Sequence, residues 1–267
     1  MVIEMSLELE PVPRSSLSDG VFEQLCASIL THRLTPGDTL PSERELATTL
    51  QVNRGAIREA LKRLSQAGLV EQRHGGGTFV RDYRRSADLS LLPRLLFSPD
   101  GEANLPVARS IMEMRAALAP DIARLCAERR SPELLASIDE HVAQLARAFE
   151  ALPADPSLAA PAARELEPLQ LLSLELWDRI VQGADNIAYR LAFNTLRQTY
   201  EQIRDALLLP LAKELCAIDR YIELLDAIRH QDGFAAHRAA TAIVQLGSGG
   251  MNAAFELLEH IHTEDRP

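Results

Sequence analysis

The chain has 267 residues, 46% hydrophobic and 25% charged, with a formal net charge of −10. That balance excludes a disordered or fibrous chain and leaves room for one large domain or two of ordinary size. Cys26, Cys126 and Cys216 are too widely spaced for a disulfide framework or a zinc motif and read as small buried apolar residues.

Aromatics make up 4% of the chain, so the core must be built from Leu, Ala and Ile, which favours packed helices. No secretory signal opens the sequence, and no apolar run reaches the roughly 18 residues needed to span a membrane. A cytoplasmic protein without a membrane partner is the expectation. The negative net charge is unevenly spread. From Pro41 to Arg85 there are nine Lys/Arg against five Asp/Glu, a local +4, which leaves −14 on the remainder. Screening over roughly 8 Å hides the distant acid, so this basic segment still attracts phosphates.

In chain order, residues 1–16 lack periodicity, and Pro11 with Pro13 predicts an extended, flexible tail. Val21, Leu25, Ile29 and Leu30 then recur at helical spacing behind Ser18, a suitable N-cap, and Pro36-Gly37-Asp38 stops that helix. Ser42-Glu43-Arg44-Glu45 is a capping box that opens a short helix to about Leu50. Gln51-Val52-Asn53 is a turn, and Asn53 caps a longer helix with Ile57, Leu61 and Leu64 on one face and Gly68 at its end. Residues 69–73 and 78–80 read as strands of a hairpin around His74-Gly75-Gly76-Gly77.

Residues 83–101 read as a linker with a short apolar helix at 89–97. Only helices follow, near residues 106–129, 132–152, 162–182, 185–209, 211–231 and 233–262. Pro120 should kink the first of these, Pro153-Ala154-Asp155-Pro156 opens the longest loop, and Gly247-Ser248-Gly249-Gly250 should interrupt the last helix. The predicted fold is mainly α: a winged helix-turn-helix over 17–82, the linker over 83–101, and an all-helical effector-binding bundle over 102–263.

A helix-turn-helix sets the start of its second helix against base edges in the major groove. Here that start is Asn53, Arg54, Gly55, Ala56 and Arg58. Arg54 and Arg58 share one face, opposite Ile57, Leu61 and Leu64. Arginine suits bidentate bonding to guanine, and Gly55 lets the backbone come close. Arg44 points to the phosphates from the preceding helix, and His74 with its glycines makes a compact wing tip. Any one of these arginines alone would read as a solvated surface charge. The ordered set within forty residues reads as a DNA reader.

Leu40-Pro41-Ser42-Glu43-Arg44-Glu45-Leu46-Ala47, Val52-Asn53-Arg54, Ile57-Arg58-Glu59-Ala60-Leu61, Gly68-Leu69-Val70 and Gly75-Gly76-Gly77-Thr78-Phe79-Val80 closely resemble the GntR family of transcription regulators. The resemblance spans about residues 18–81. It implies Arg44, Arg54 and Arg58 as DNA-contacting arginines, His74 and Gly75 as the wing contact, and a homodimer on a palindromic double-stranded operator. The position after Arg54 is often Thr or Ser in the family and is Gly55 here, which removes a hydroxyl contact.

The second domain resembles the effector domain of the FadR-like branch. Many members of that branch hold a metal through an Asp-x3-His pair and two later histidines. Here those positions are Ser173, Trp177, Tyr221 and Ile243, so no metal or other cofactor is expected. His230 with His237, and His260 with His262, read as surface residues rather than ligands. Asn186-Ile187-Ala188-Tyr189, Leu191, Asn194, Tyr200 and Ile203 resemble the acyl-CoA-responsive members of the branch, and Tyr200 falls on a tyrosine that meets acyl-CoA there.

The resemblance implies a small-molecule effector, a fatty acyl-CoA or fatty acid, with Tyr189, Arg197, Tyr200, Arg204 and Gly249 at its site. From the residues alone, Tyr189, Phe193, Leu196, Tyr200, Ile203 and Leu207 form one apolar face bordered by Arg197 and Arg204. That face reads equally as core with its arginines snorkelling to Glu201. Three alternatives stay open: a sensor of a small organic acid, a ligand-independent DNA-binding protein, and an enzyme. The last lacks a nucleophile–base pair or metal cluster in the sequence, and no enzyme is expected.

Overall fold

The computed structural model describes residues 17–73, 76–97, 101–152 and 163–264, with side chains to His260. The expected N-terminal tail, the His74–Gly75 wing tip and the loop at 153–156 lie outside the described residues. The chain divides into two compact units. One contains the chain up to Leu91, and the other contains Leu92–Phe97 and everything from Ala103 onward, residues 101–102 counting with the first.

In the first unit α1 (Leu17–Leu30), α2 (Glu43–Thr49) and α3 (Arg54–Gln66) pack around Phe22, Ile29, Leu46, Ile57, Leu61 and Leu64. Ser18 sits inside the first turn of α1 rather than capping it. That helix also stops before the Pro36 corner, because His32 turns into the left-handed region at φ 58°. The other two expected caps form. Ser42 accepts from the Glu45 backbone N–H while the Glu45 carboxylate accepts from the Ser42 N–H at 2.8 Å, and Asn53 Oδ1 accepts from the Ala56 N–H at 2.9 Å.

α3 ends as expected at Gly68, whose φ of +72° closes a Schellman turn: the Gly68 N–H donates to Ser65 and the Leu69 N–H to Leu64. A Cβ at Gly68 would lie 2.2 Å from the Ser86 carbonyl oxygen, so no other residue fits without moving the chain. β1 (Val70–Arg73) pairs antiparallel with β2 (Gly77–Val80) in the register Val70↔Val80 to Arg73↔Gly77. Thr39 adds a bridge to Phe79 on the free edge of β2. The stretch read as a linker is built rather than bare. α4 (Tyr83–Ser86) closes against the first unit through Ser86 Oγ donating to the Gly68 carbonyl at 2.6 Å, and a 3-10 turn, Leu89–Leu91, leads into α5 (Leu92–Leu95).

Beyond α5 and one bridge between Phe97 and Ala103, the regular elements among the described residues of the second unit are helices: α6 (Leu105–Arg129), α7 (Pro132–Glu150), α8 (Ala163–Gly183), α9 (Ile187–Ile203), α10 (Ala212–Leu215), α11 (Ile218–Arg229) and α12 (Gly233–Glu264). α6 and α12 make the most extensive pairing, around Ile122, Cys126, Ala240, Ile243 and Val244. α6 runs unbroken through Pro120, which lacks only the N–H that would have bonded the Ala116 carbonyl.

Three expectations are corrected. α9 stops at Ile203 rather than near 209, because Pro210 disfavours helix at the residue before it and the last turn tightens into a 3-10 segment, Arg204–Leu207. The single helix expected over 211–231 is two, broken at Cys216–Ala217 without any Gly or Pro. Leu211, Glu214 and Leu215 are buried before the break, and Tyr221, Leu224 and Ile228 after it. α12 passes through Gly247-Ser248-Gly249-Gly250 uninterrupted. Its glycines serve close approach instead: a Cβ at Gly247 would lie 1.9 Å from the Glu214 carboxylate, and one at Gly250 would lie 1.9 Å from the Pro210 carbonyl oxygen.

Candidate functional site

Two sites emerge, one in each unit. In the first, the caps of α2 and α3 aim two helix starts toward one exposed surface. Arg44, Arg54, Gly55 and Arg58 are all exposed. Arg58 is held by Glu43 of α2, Nη2 to Oε2 at 3.0 Å, and this contact raises its pKa, chiefly through the hydrogen bond and then the carboxylate's charge. The side chains of Arg44 and Arg54 make no hydrogen bond or ion pair among the described residues, so both remain available to an anion. Asn53 is committed through its Oδ1 to the cap, which leaves only its amide NH2 for a partner.

Gly55 adjoins this cap closely: a Cβ there would stand 3.1 Å from Asn53 Oδ1. Behind the exposed face Arg63 pairs with Asp19 and lies 4.3 Å over the Phe22 ring, tying α3 to α1. Neither this strut nor the Glu43–Arg58 pair was foreseen, since partners 44 and 15 residues apart leave no local signal.

The second site is a cavity of about 130 Å³ inside the helical unit. It is walled by α6, α8, α9 and α10, with Leu96 and Met251 closing it. Its lining is overwhelmingly apolar, led by Ile111, Met112, Ile122, Phe193, Leu207 and Leu215. Of the residues expected at an effector site, Tyr200 and Arg197 line it. Tyr189, Arg204 and Gly249 do not. The Tyr189 hydroxyl instead donates to Asp121 at 2.8 Å, Gly249 is exposed with open space beside it, and Arg204 pairs with Glu167 and Asp205.

Arg197 is fixed by Glu201 at 3.0 Å and by Asp178 at 3.4 Å, so the pairing to Glu201 is realised even though the residue also faces the cavity. Burial, with the Glu214 charge adding to it, pushes the Tyr200 hydroxyl well above its ordinary value, so it stays a neutral donor and acceptor.

Sequence reasoning missed the most polar feature of the cavity. Arg115 of α6 meets Glu214 of α10 through both guanidinium nitrogens, Nη1 to Oε2 at 2.9 Å. Glu214 is only 2% exposed. Burial works against the Arg115 charge, and the Glu214 carboxylate outweighs it, so the guanidinium pKa is raised. A signal existed: Arg115 falls among Ala108, Ile111, Met112, Ala119 and Ile122 on the apolar stripe of α6, where a lone arginine needs a buried partner.

Ser173, Trp177, Tyr221 and Ile243, the positions expected to lack metal ligands, lie on α8, α11 and α12. Ser173 and Tyr221 do come together, Oγ to OH at 3.0 Å in full burial, so two of those positions are closed by a hydrogen bond. Among the described residues no three His, Cys, Asp or Glu side chains could hold a metal. His230 and His260 are exposed, each with Nδ1 near its own helix carbonyl. Cys26 and Cys126 are buried, and burial pushes the Cys126 thiol up to about 12, the condition of an unreactive core residue. No helix among the described residues is long and apolar enough to cross a membrane.

Residues 17–80, the unit with the exposed arginines, match the model of bacterial regulatory proteins, gntR family. Over 251 residues the chain is 41% identical to the HTH-type transcriptional regulator Mce2R of Mycobacterium tuberculosis, covering 93% of this chain and 97% of that one. The chain belongs to the GntR family.

Residues 110–246 match the FCD domain, which contains most of the cavity wall, so this GntR protein is a sequence-specific DNA-binding transcriptional regulator with a ligand-binding FCD domain. It is also similar to the HTH-type transcriptional repressor NanR of Salmonella newport, 34% identical over 151 residues that cover 54% of this chain and 52% of that one. Among solved structures a chain described as Lar, which controls the agr system of Listeria monocytogenes, shares the fold. Its TM-score is 0.51 at 13% identity, over 90% of this chain and 98% of that one.

Proposed function

We propose that this GntR regulator is of the FadR-like, acyl-responsive kind. A fatty acyl thioester enters the FCD cavity and lowers the affinity of the winged helix-turn-helix, residues 17–82, for its operator. The observation that carries the reading is the cavity itself: an apolar space of about 130 Å³ with Tyr200 in its wall, in the domain that binds effectors in this family. At 10–15 Å³ per water-sized occupant, that space takes on the order of ten heavy atoms. It suits an acyl segment with the nucleotide head group outside. The same size admits a small organic acid, but the apolar lining favours the acyl chain, since each buried CH₂ is worth about 0.8 kcal/mol.

Arg44 contacts phosphates, and Arg54 and Arg58 read bases beside Asn53 and Gly55. One recognition helix reads only a few base pairs, so the protein acts as a homodimer on a two-fold operator.

The test is a thermal-shift screen of long-chain CoA thioesters and small organic acids. A thioester at a hundred times its Kd should stabilise the FCD domain by about 2.7 kcal/mol. A shift with a short acid and none with any thioester gives the site to the small-acid alternative.

A further inference from the structure

Resting on the reading that an acyl ligand fills the FCD cavity, we infer that Glu214 makes this cavity select chains that end in an uncharged group, such as an ester or thioester, and reject free carboxylates. Two cations line the space, Arg115 and Arg197, and both are already matched by carboxylates of the chain itself. Arg115 is gripped by Glu214 through both guanidinium nitrogens, the geometry in which a ligand carboxylate would bind it. Arg197 is held by Asp178 and Glu201.

The Arg115 position is occupied by a partner that cannot swing away easily. Glu214 is almost fully buried, and the α12 backbone closes over it at Gly247, where even a methyl group would collide with the carboxylate and stand 3.1 Å from Arg115 Nη1. An incoming carboxylate would have to strip Glu214 from Arg115, its cation among the described residues, inside an apolar wall. Two like charges would then share one guanidinium at low dielectric. A neutral ester, thioester or alcohol meets no such opposition. It lays its chain along Ile111, Phe193 and Leu207 and leaves the pair intact.

The experiment uses the full chain and its single tryptophan, Trp177, which lines the cavity and reports occupancy by fluorescence. Methyl decanoate and decanoate are titrated at neutral pH, where decanoate is ionised. The neutral ester should bind at least about tenfold tighter than the acid. Glu214→Gln should gain decanoate affinity by about tenfold, because Arg115 is then free to take the ligand's carboxylate.

Should that variant fail to fold, the double variant Arg115→Met with Glu214→Leu replaces the pair by apolar side chains; it should keep the ester and still refuse the acid. Equal binding of ester and acid by the wild type overturns the inference while the acyl reading stands. Binding of neither ligand overturns both. A folded Glu214→Gln that gains nothing for decanoate also removes the role given to Glu214.

Discussion

Arg54 and Arg58 sit on the same exposed face of α3 but in different states, and that difference sorts their mutations. Arg54 is free of ion pairs among the described residues, whereas Arg58 is braced by Glu43. Arg54→Ala and Arg58→Ala should each cost roughly 1–3 kcal/mol of specific affinity where a bidentate base contact is lost. Arg44→Ala should weaken specific and random DNA alike. Footprinting with competitor DNA separates the two patterns, and unchanged footprints for both α3 variants would remove the assignment.

His141 gives a pH prediction at the same scale. Burial lowers its pKa, with the Arg179 charge adding to the effect and Glu175 opposing it, while Nε2 lies 3.2 Å from the Leu172 carbonyl. The folded imidazole therefore resists a proton that the unfolded chain accepts. Its contribution is fully present above the ordinary value of 6.5 and is lost as pH falls below it. His141→Gln should flatten the fall of Tm with acidification below that pH, and an unaltered slope would show that other groups carry it.

α12 shows how an element can be misread from its own sequence. Its glycine cluster looks like a break because each glycine costs a helix about 1 kcal/mol relative to alanine. The helix survives because the glycines answer to neighbours: Gly247 to the Arg115–Glu214 pair and Gly250 to the Pro210 corner. The two sites therefore predict opposite outcomes in the same helix. Gly249→Ala, with open space beside it, should stabilise by roughly 0.5–1 kcal/mol. Gly247→Ala should cost on the order of 3 kcal/mol or more by prising apart a buried ion pair. Chemical denaturation of both variants checks the contrast, and equal effects would refute this account of the cluster.

What was legible in the sequence follows the same division. Caps, the Schellman glycine and the wing strands were legible because their causes lie within a few residues: Ser42 with Glu45, Asn53 with Ala56, Gly68 with Ser65 and Leu64. The α10–α11 break, the Thr39 edge and the Arg115–Glu214 pair were not, because packing partners far along the chain decide them. Of the residues expected at an effector site, Tyr200 and Arg197 share a face of α9 that lines the cavity. Tyr189 lies on the same helix but is drawn off to Asp121.

At the scale of the molecule, the proposed coupling would have a covalent route. The chain passes directly from Leu91 of the first unit to Leu92–Phe97 of the second, and Leu96 in that segment is part of the cavity wall. Asn104 also donates its backbone N–H to Leu96, so the segment is fastened to the start of α6, another wall of the same space. On the proposed function, a ligand that moves Leu96 would act on the covalent segment that joins the two units. The ligand acts only by as much as it prefers the released arrangement.

The most direct test is the Kd of the full chain for its operator, measured by fluorescence anisotropy with and without a saturating long-chain acyl-CoA, on the wild type and on Tyr200→Ala. The wild type should lose about a hundredfold in affinity, equivalent to about 2.7 kcal/mol of differential binding. Tyr200→Ala should bind the operator normally and respond weakly. An operator Kd that no acyl-CoA changes, in a protein that a short organic acid does release, would contradict the account.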